Sequence, residues 1–511
     1  MRLPKLLPTI SALLLLAIST SAAVNAAGGK PNIVYILADD LGYGDVRCYQ
    51  PDNKIATPNI DRLAAQGMRF TDAHSGSAVC TPTRYGILTG RYSWRSTLAQ
   101  GVLNGFSPAL IGPDRPTVPA LLRKAGYTTA AVGKWHLGFD WTGKDGAAGK
   151  DKVDWKVDYT LPFTQGPTSR GFDSYFGISA SLDMPPFVYL ENDRVVQAPT
   201  VEKTWIRKGP AGADFEAVDV LPRLTERAEA VIAAGAQPSK TGRPFFLYLA
   251  LTSPHTPIVP TSEWQGKSGL TPYGDFVMQT DAAVGRVLDA LDRHGLADDT
   301  LVVLTSDNGC SPAAGFDDMV KLGHHPSGPF RGYKADIFEG GHRIPFVVRW
   351  PGNVAAASTS DQTICLTDLM ATAAEIVGEP LRADANEDSV SLVPILKGTA
   401  NGPVREATVH HSINGSFAIR QGPWKLIFCP DSGGWSAPRP GRDDASKLPP
   451  IQLYNLADDP AETKNLQAEH PVIVARLTAL MRKYVDDGRS TPGLAQPNDR
   501  KVTFRRKPSG E

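Results

Sequence analysis

Two apolar runs in the 511-residue sequence end in oxygen-bearing side chains: NIVYILA runs into Asp39 and Asp40, and TLVVLTS into Asp307 and Asn308. If the two strands are neighbours, three carboxylates and an amide oxygen converge. Hard donors of this kind, without clustered cysteine or histidine, suit Ca2+ or Mg2+ rather than zinc. A second set is cationic: Lys134 and His136 in VGKWHLG, His255 after FFLYLAL, Lys334 in FRGYKADIFEGGHRIPF, and Arg84 close behind Cys80. Lys134 and His136 are two apart, so on an extended segment they face one side. Taken singly, each of these residues has an ordinary alternative as a turn cap, a surface lysine or a loop histidine. Together, near strand ends, they describe an anion pocket. Cys80 stands at a helix start, as N-cap with Pro82 in the first turn, where a helix dipole stabilises negative charge. Its alternatives are a plain buried cysteine and a nucleophilic thiolate of depressed pKa. The chemistry that fits is attack on a tetrahedral oxyanion ester.

These residues need a scaffold that brings strand ends together. PNIVYILADD is continuously apolar, as in a strand covered on both faces. A helix follows, with Thr57 as cap, Pro58 in first position and Gly67 as stop. MRFTDAH, YTTAAVGKWHLG, RPFFLYLALTSPH, DTLVVLTSDNG and IPFVVRW read as strands. TVPALLRKAG, YGDFVMQTDAAVGRVLDALDRHG and DLMATAAEIVG read as helices. Alternation of this kind predicts an α/β domain with a largely parallel sheet between helices. Beyond Val404 the texture changes to short strands, EATVHH, SFAIRQ, WKLIF and QLYNL, then a helix near Pro471 to Asp486. This predicts a small antiparallel sheet with a terminal helix, as a second domain or a docked lobe. The expected divisions are a leader over 1–26, a catalytic domain over 27–404 and a C-terminal subdomain over 405–511. The stretches Trp141 to Arg170 and Asp431 to Pro450 read as surface loops.

Arg2 and Lys5, the apolar run from Leu6 to Ile18 and Val24-Asn25-Ala26 have the form of a cleaved signal peptide, which predicts export to a periplasm or the exterior. The apolar run is short for a membrane span, and stable membrane insertion is not expected. Lys and Arg (53) balance Asp and Glu (53), so an anion must be recognised by a few placed cations rather than by bulk charge. With no basic run, nucleic acid is not an expected partner. Five cysteines, at 48, 80, 310, 365 and 429, are too few for a disulfide scaffold. Cys80 is the expected unpaired one.

CTPTR fits the C-x-P-x-R signature of the type I sulfatases, and YGILTGRY resembles the remainder of that signature. GKWHLG, SPHTP, SDNG, GYKADIFEGGHR and LYNLADDPAETKNL extend the resemblance in order over nearly the whole chain. The resemblance implies an alkaline-phosphatase-like sandwich with a smaller C-terminal antiparallel sheet. It implies that Cys80 is converted to formylglycine by a formylglycine-generating enzyme before folding. One calcium ion, in preference to magnesium, would lie between Asp39, Asp40, Asp307, Asn308 and the modified Cys80. Arg84, Lys134, His136, His255 and Lys334 would complete the catalytic set. In the mechanism this resemblance implies, one hydroxyl of the aldehyde hydrate would attack sulfur, His255 with Lys334 would protonate the leaving alcohol, and His136 would deprotonate the second hydroxyl to expel sulfate.

The rival readings are a phosphonate or phosphodiester hydrolase of the same superfamily, and an inactive sulfatase-fold protein that binds carbohydrate. The substrate implied is a sulfated saccharide, with 6-O-sulfate of galactose or N-acetylgalactosamine as the analogy. Candidate sugar contacts are Asp183, His324, His325, His342, Arg343 and His411. Trp141, Trp205 and Trp435 are candidates for stacking on a sugar ring or for simple packing.

Overall fold

The computed structural model describes residues 29–144, 156–442 and 445–504. The expected leader, and part of the loop expected from Trp141, lie outside these residues. Strand β1 (Asn32–Asp39) is buried along its whole length. Ile33, Tyr35 and Leu37 enter one hydrophobic core and Val34, Ile36 and Ala38 the other. With a period of two and apolar layers on both faces, a continuous apolar run is what such a strand needs. The central sheet is built from β1, β2 (Met68–Phe70), β3 (Thr128–Lys134), β4 (Ser174–Ile178), β5 (Phe245–Pro254), β6 (Thr300–Ser306) and β7 (Phe346–Arg349), with short strands at both edges. Their order is β2-β7-β6-β1-β5-β3-β4. Strands β6, β1, β5, β3 and β4 are mutually parallel, and β7 runs antiparallel to both its neighbours.

Helices α1 (Pro58–Ala65), α2 (Cys80–Thr89), α3 (Ala217–Lys240), α4 (Pro272–Arg293) and α5 (Leu369–Val377) cover the two faces. The first, third and fourth pack on one core, and α2 and α5 on the other. The sheet and its flanking helices match the expected α/β sandwich. Three local expectations are corrected. The stretch MRFTDAH divides into β2 and a separate two-residue strand at Ala73–His74. Helix α3 had no counterpart in the sequence reading. Cys80 is the first helical residue of α2, with Val79 as its cap.

Strands β8 (Thr408–His411), β9 (Phe417–Gln421), β10 (Trp424–Ile427) and β11 (Gln452–Asn455) form the expected antiparallel sheet, with α6 (Pro471–Asp486) packed on it. Its core is shared with the larger part: Val409, Phe417, Leu426 and Leu477 pack with Tyr92 and Trp94, which follow α2. The lobe is docked through buried apolar surface. Among the described residues no helix is long and apolar enough to cross a membrane.

Candidate active site

Strands β1 and β6 are direct neighbours, with Ala38 opposite Ser306, so both acidic strand ends emerge at one edge. Ligand sites of open parallel sheets lie at this carboxyl edge. Asp40 takes a left-handed conformation with φ of 65°, uncommon for a residue with a Cβ. Its N–H donates to Asp307 Oδ1 (3.2 Å), and the N–H of Leu41 donates to the Ser306 hydroxyl (2.9 Å). Tyr273 from α4 donates its hydroxyl to the carbonyl of Asp40 (3.1 Å) and to Asp45 (2.5 Å). These bonds hold the bend that brings the carboxylates of Asp39 and Asp40 together. Neither Tyr273 nor Asp45 was identified from sequence. Asp45 is visible in DDLGYGD, but nothing local announces its partner.

The cations arrive from three other elements. Lys134, at the end of β3, donates to both oxygens of Asp39 (3.0 and 2.7 Å). Lys334 contacts both oxygens of Asp40 at 2.7 Å. Arg84 lies one helical turn after Cys80 in α2, and residues four apart share a helix face. That is the physical content of the C-x-P-x-R spacing. Its guanidinium donates to Asp307 Oδ2 (3.0 and 2.8 Å) and to the carbonyl of Lys134 (2.9 Å). Burial by itself would raise the Asp39 carboxyl. Lys134, His255 and Arg84 outweigh it and hold the group well below the usual carboxylate range.

Cys80 is 2% exposed. Burial pushes its thiol up to about 12, against the pull of Lys134 and Lys334, so a reactive thiolate at neutral pH is disfavoured. All five cysteines are unpaired. His255 offers Nδ1 to the carbonyl of Thr256 (2.5 Å), leaving Nε2 toward Asp40 at 3.7 Å. His136 lies past the end of β3 with φ of 56°, which corrects the expectation of an extended segment. Its Nε2 bonds the carbonyl of Leu103 (2.7 Å), and its Nδ1 is buried without a partner. Burial, with Lys134 nearby, holds this imidazole well below its usual range. The neutral form of the imidazole is favoured.

Ligand atoms of Asp39, Asp40, Cys80 and His255 lie within 4.8 Å of one another. Asn308 donates its amide to Asp40 Oδ1 (2.7 Å), while its Oδ1 is buried with no partner. Buried carboxylates plus an orphaned amide oxygen fit a divalent cation bound by oxygen. Residues 31–379 match the family described as Sulfatase.

The chain belongs to the sulfatase family. It is a sulfuric ester hydrolase. It is 35% identical over 499 residues to an N-acetylgalactosamine-6-O-sulfatase of Bacteroides thetaiotaomicron, covering 88% of this chain and 92% of that one. It is 34% identical to human arylsulfatase A, over 89% of this chain and 86% of the relative. A solved structure from work on the metabolism of multiple glycosaminoglycans by Bacteroides thetaiotaomicron superposes with a TM-score of 0.77 at 33% identity, covering 89% of this chain and 99% of that one. The relatives bear sulfatase names, which does not favour the phosphodiesterase or inactive-binder readings.

The residues expected to touch sugar in this sulfatase fare unequally. His324 is fully buried and bonds Asp45 (2.8 Å), behind the bend at Asp40. His342 and Arg343 point into a second buried cluster with Asp72, His74, Glu339 and Lys425. All three bond buried groups of the protein, and His324 Nδ1 is buried without a partner. His411 is buried against Phe417, and its carbonyl accepts from Ser77 and Ala78, just before Cys80. Asp183 lies in the loop beyond β4, at the same sheet edge, paired with Arg207 and keeping one buried oxygen without a partner. His325 is exposed and lines a cleft with Phe330 and Arg331. Trp141 packs in an aromatic cluster with Phe139 and Phe163, and Trp205 packs on Phe187. Trp435 is exposed.

Proposed function

We propose that this sulfatase removes sulfate from a sulfated saccharide, with 6-O-sulfated N-acetylgalactosamine or galactose as the favoured unit. Residue 80, as hydrated formylglycine, supplies the attacking hydroxyl. The observation that carries this reading is the gathering around Cys80 of three carboxylates, three cations and His255, with His136 among the same cations beside Lys134 and Arg84. Three buried carboxylates against Arg84, Lys134 and Lys334 sum to a neutral site. Calcium held by Asp39, Asp40, Asp307 and Asn308 would add the net positive charge that draws and polarises a sulfate ester.

The protein's own groups then divide the work. Lys134 and Lys334 would meet the negative charge that grows on the sulfate oxygens, and Arg84 would favour the ionised form of the attacking hydroxyl. In this reading His255, with Lys334, protonates the departing sugar oxygen, and His136 takes the proton from the second hydroxyl of residue 80. The unpartnered oxygen of Asp183 is an acceptor for a sugar hydroxyl. A thiol only 2% exposed is out of an enzyme's reach in the folded chain, so formylglycine formation would precede folding. The leader over 1–26 would export the chain to a periplasm or the exterior.

The test is sulfate release from sulfated galactose and N-acetylgalactosamine by the wild type and by Cys80→Ser. A serine has one hydroxyl and cannot expel sulfate by the second. The variant should give at most one turnover and accumulate a sulfated serine seen by mass spectrometry. Steady multiple turnover by Cys80→Ser would overturn the scheme.

A further inference from the structure

Helix α2, which carries both Cys80 and Arg84, is capped by Gly90 and followed at once by Arg91, then by Arg95. Both arginines are fully buried. A guanidinium keeps its charge at any working pH, so burying two of them demands partners. Arg95 donates through Nε and Nη2 to the two oxygens of Asp388 (2.8 Å each), and the N–H of Asp388 donates to the carbonyl of Gly90 (3.0 Å). Further partners come from the chain beyond α6, residues 487–504, which returns as a strap to this place. Asp499 accepts from Nη1 and Nη2 of Arg91 with both oxygens (3.0 Å each), and the carbonyl of Pro497 accepts from Nη2 (2.9 Å). Asn498 Oδ1 accepts from Arg95 (3.1 Å), and the N–H of Asp499 donates to the carbonyl of Arg95 (2.7 Å). Val502 and Phe504 then pack against the core of the lobe.

The strap reaches α2 itself. The Nη1 that Asp499 holds also donates to the hydroxyl of Tyr85 (3.2 Å), and Tyr85 directly follows Arg84 in the helix. The other end of α2 is fixed separately, where the carbonyl of His411 accepts from Ser77 and Ala78. The helix is thus a short bar pinned at both ends by chain synthesised much later. Its exact place matters. Arg84 meets Asp307 at 3.0 and 2.8 Å, and a displacement of about 1 Å at a reacting group can cost about a hundredfold in rate. The Asp499 side chain is 41% exposed, so it fills no core. Its contribution is the forked bond to Arg91.

We infer that Arg91 and Arg95, with Asp499 closing the strap over them, are positioning residues for the reaction: they set where α2 presents residue 80 and Arg84, without touching the substrate. This rests on the reading of residue 80 and Arg84 given above.

The test uses the full-length protein and three variants. Asp499→Ala removes a carboxylate at the surface, while Glu387 Oε1, 3.1 Å from Arg91 Nε, still offsets the buried charge, so the variant should fold. Asp499→Asn keeps an acceptor oxygen. Asp487→Ala removes a carboxylate of the same strap that is 40% exposed and pairs only with the surface residue Lys483. Two quantities are measured: kcat and KM on 6-O-sulfated N-acetylgalactosamine and galactose, per mole of formylglycine, and hydrogen exchange of α2 and β1. Asp499→Ala should lower kcat about tenfold at unchanged KM, and α2 should exchange about tenfold faster while β1 exchanges as in the wild type. Asp499→Asn should fall between the two, and Asp487→Ala should match the wild type. Wild-type kcat and wild-type exchange of α2 in Asp499→Ala, or an equal loss in Asp487→Ala, would overturn the positioning role. If α2 responds as expected but active wild type carries unmodified cysteine, the reading of residue 80 fails and the hold of the strap on α2 stands.

Discussion

Asp39, Asp40 and Asp307 are fully buried, which isolated carboxylates do not tolerate. Each has a cation against it, and removing one partner of such a pair typically costs about 3–5 kcal/mol. Asn308 Oδ1 is the polar atom in this set left without a partner. A divalent cation would satisfy it, and the protein should be more stable with calcium bound. Treatment with a calcium chelator should abolish sulfate release and lower the melting temperature. Calcium at a hundred times its dissociation constant should restore about 2.7 kcal/mol, and Asn308→Ala should need markedly more calcium for the same effect. Full activity and an unchanged melting temperature in chelator would contradict the assignment. The candidate ligand and catalytic residues could be picked out because an acid at the end of an apolar strand, or a lysine in a glycine-rich loop, is a local signal. Tyr273 was not legible. It reaches Asp45 across 228 residues of chain, and on its own helix it reads as one more core aromatic. His324, His342 and Arg343 are the opposite case. Their types suggested sugar contact, but bonds to Asp45, His74 and the Thr71 carbonyl, far off in the chain and invisible in sequence, turn them inward.

Lys134 is aimed by the strand beneath it. Gly133 has φ of 118°, a conformation open to glycine, and a Cβ there would stand 1.8 Å from the carbonyl of Ala250 on β5. Gly177 on β4 is equally tight against the carbonyl of Gly133. Strands β5, β3 and β4 thus close around a glycine just before Lys134. Gly133→Ala should destabilise the fold by about 3 kcal/mol or more, through strain and steric clash together. Gly112→Ala, with nothing within 4 Å of the new Cβ, should melt within a few degrees of wild type. Equal melting temperatures for the two variants would show that the sheet tolerates the side chain. The parallel strands were readable from their continuous apolar runs. Helix α3 was not, since Pro222 and Pro238 lie inside it and prolines in a helical pattern argue for a break. Packing of Val220, Leu224, Ala228 and Ile232 on the sheet overrides that local signal.

The two parts of the molecule are joined by a buried polar cluster as well as by apolar packing. Asp72, His74, Glu339 and His342 come from the large part, and His410, Arg420, Lys425 and Glu462 from the lobe. Lys425 Nζ lies 3.0 Å from His342 Nε2, the Nδ1 atoms of His342 and His74 lie 3.0 Å apart, and His74 Nε2 lies 2.8 Å from Asp72 and 2.9 Å from Arg420. His342 and His410 stack in parallel at 3.9 Å, so their in-plane lone pairs do not share one metal ion. Burial lowers all three imidazoles, and Lys425 adds to the effect on His342 and His410. Asp72 and Glu339 are also held low, because Arg343 and Lys425 respectively outweigh their burial. Groups whose folded pKa is depressed contribute stability above the unfolded value that is lost as pH falls. For the histidines the loss begins near pH 6.5 and can reach about 1.4 kcal/mol per pH unit for each. Glu462, raised by burial to about 7, works in the opposite direction, but it is one group against three. Urea midpoints should therefore fall between pH 7.5 and 5.5, and His342→Gln should flatten the slope. A midpoint that rises on acidification would contradict this account. The sequence showed that the texture changes after Val404, but not that the lobe is docked through buried charge, because the partners lie far apart in the chain.

The central claim is that residue 80 acts as an aldehyde hydrate and not as a thiol. The direct measurement is the mass of the peptide bearing residue 80, taken from protein made by its native host. The account predicts formylglycine in place of cysteine in the active fraction. Unmodified cysteine throughout, in protein that still hydrolyses sulfate esters, would contradict it.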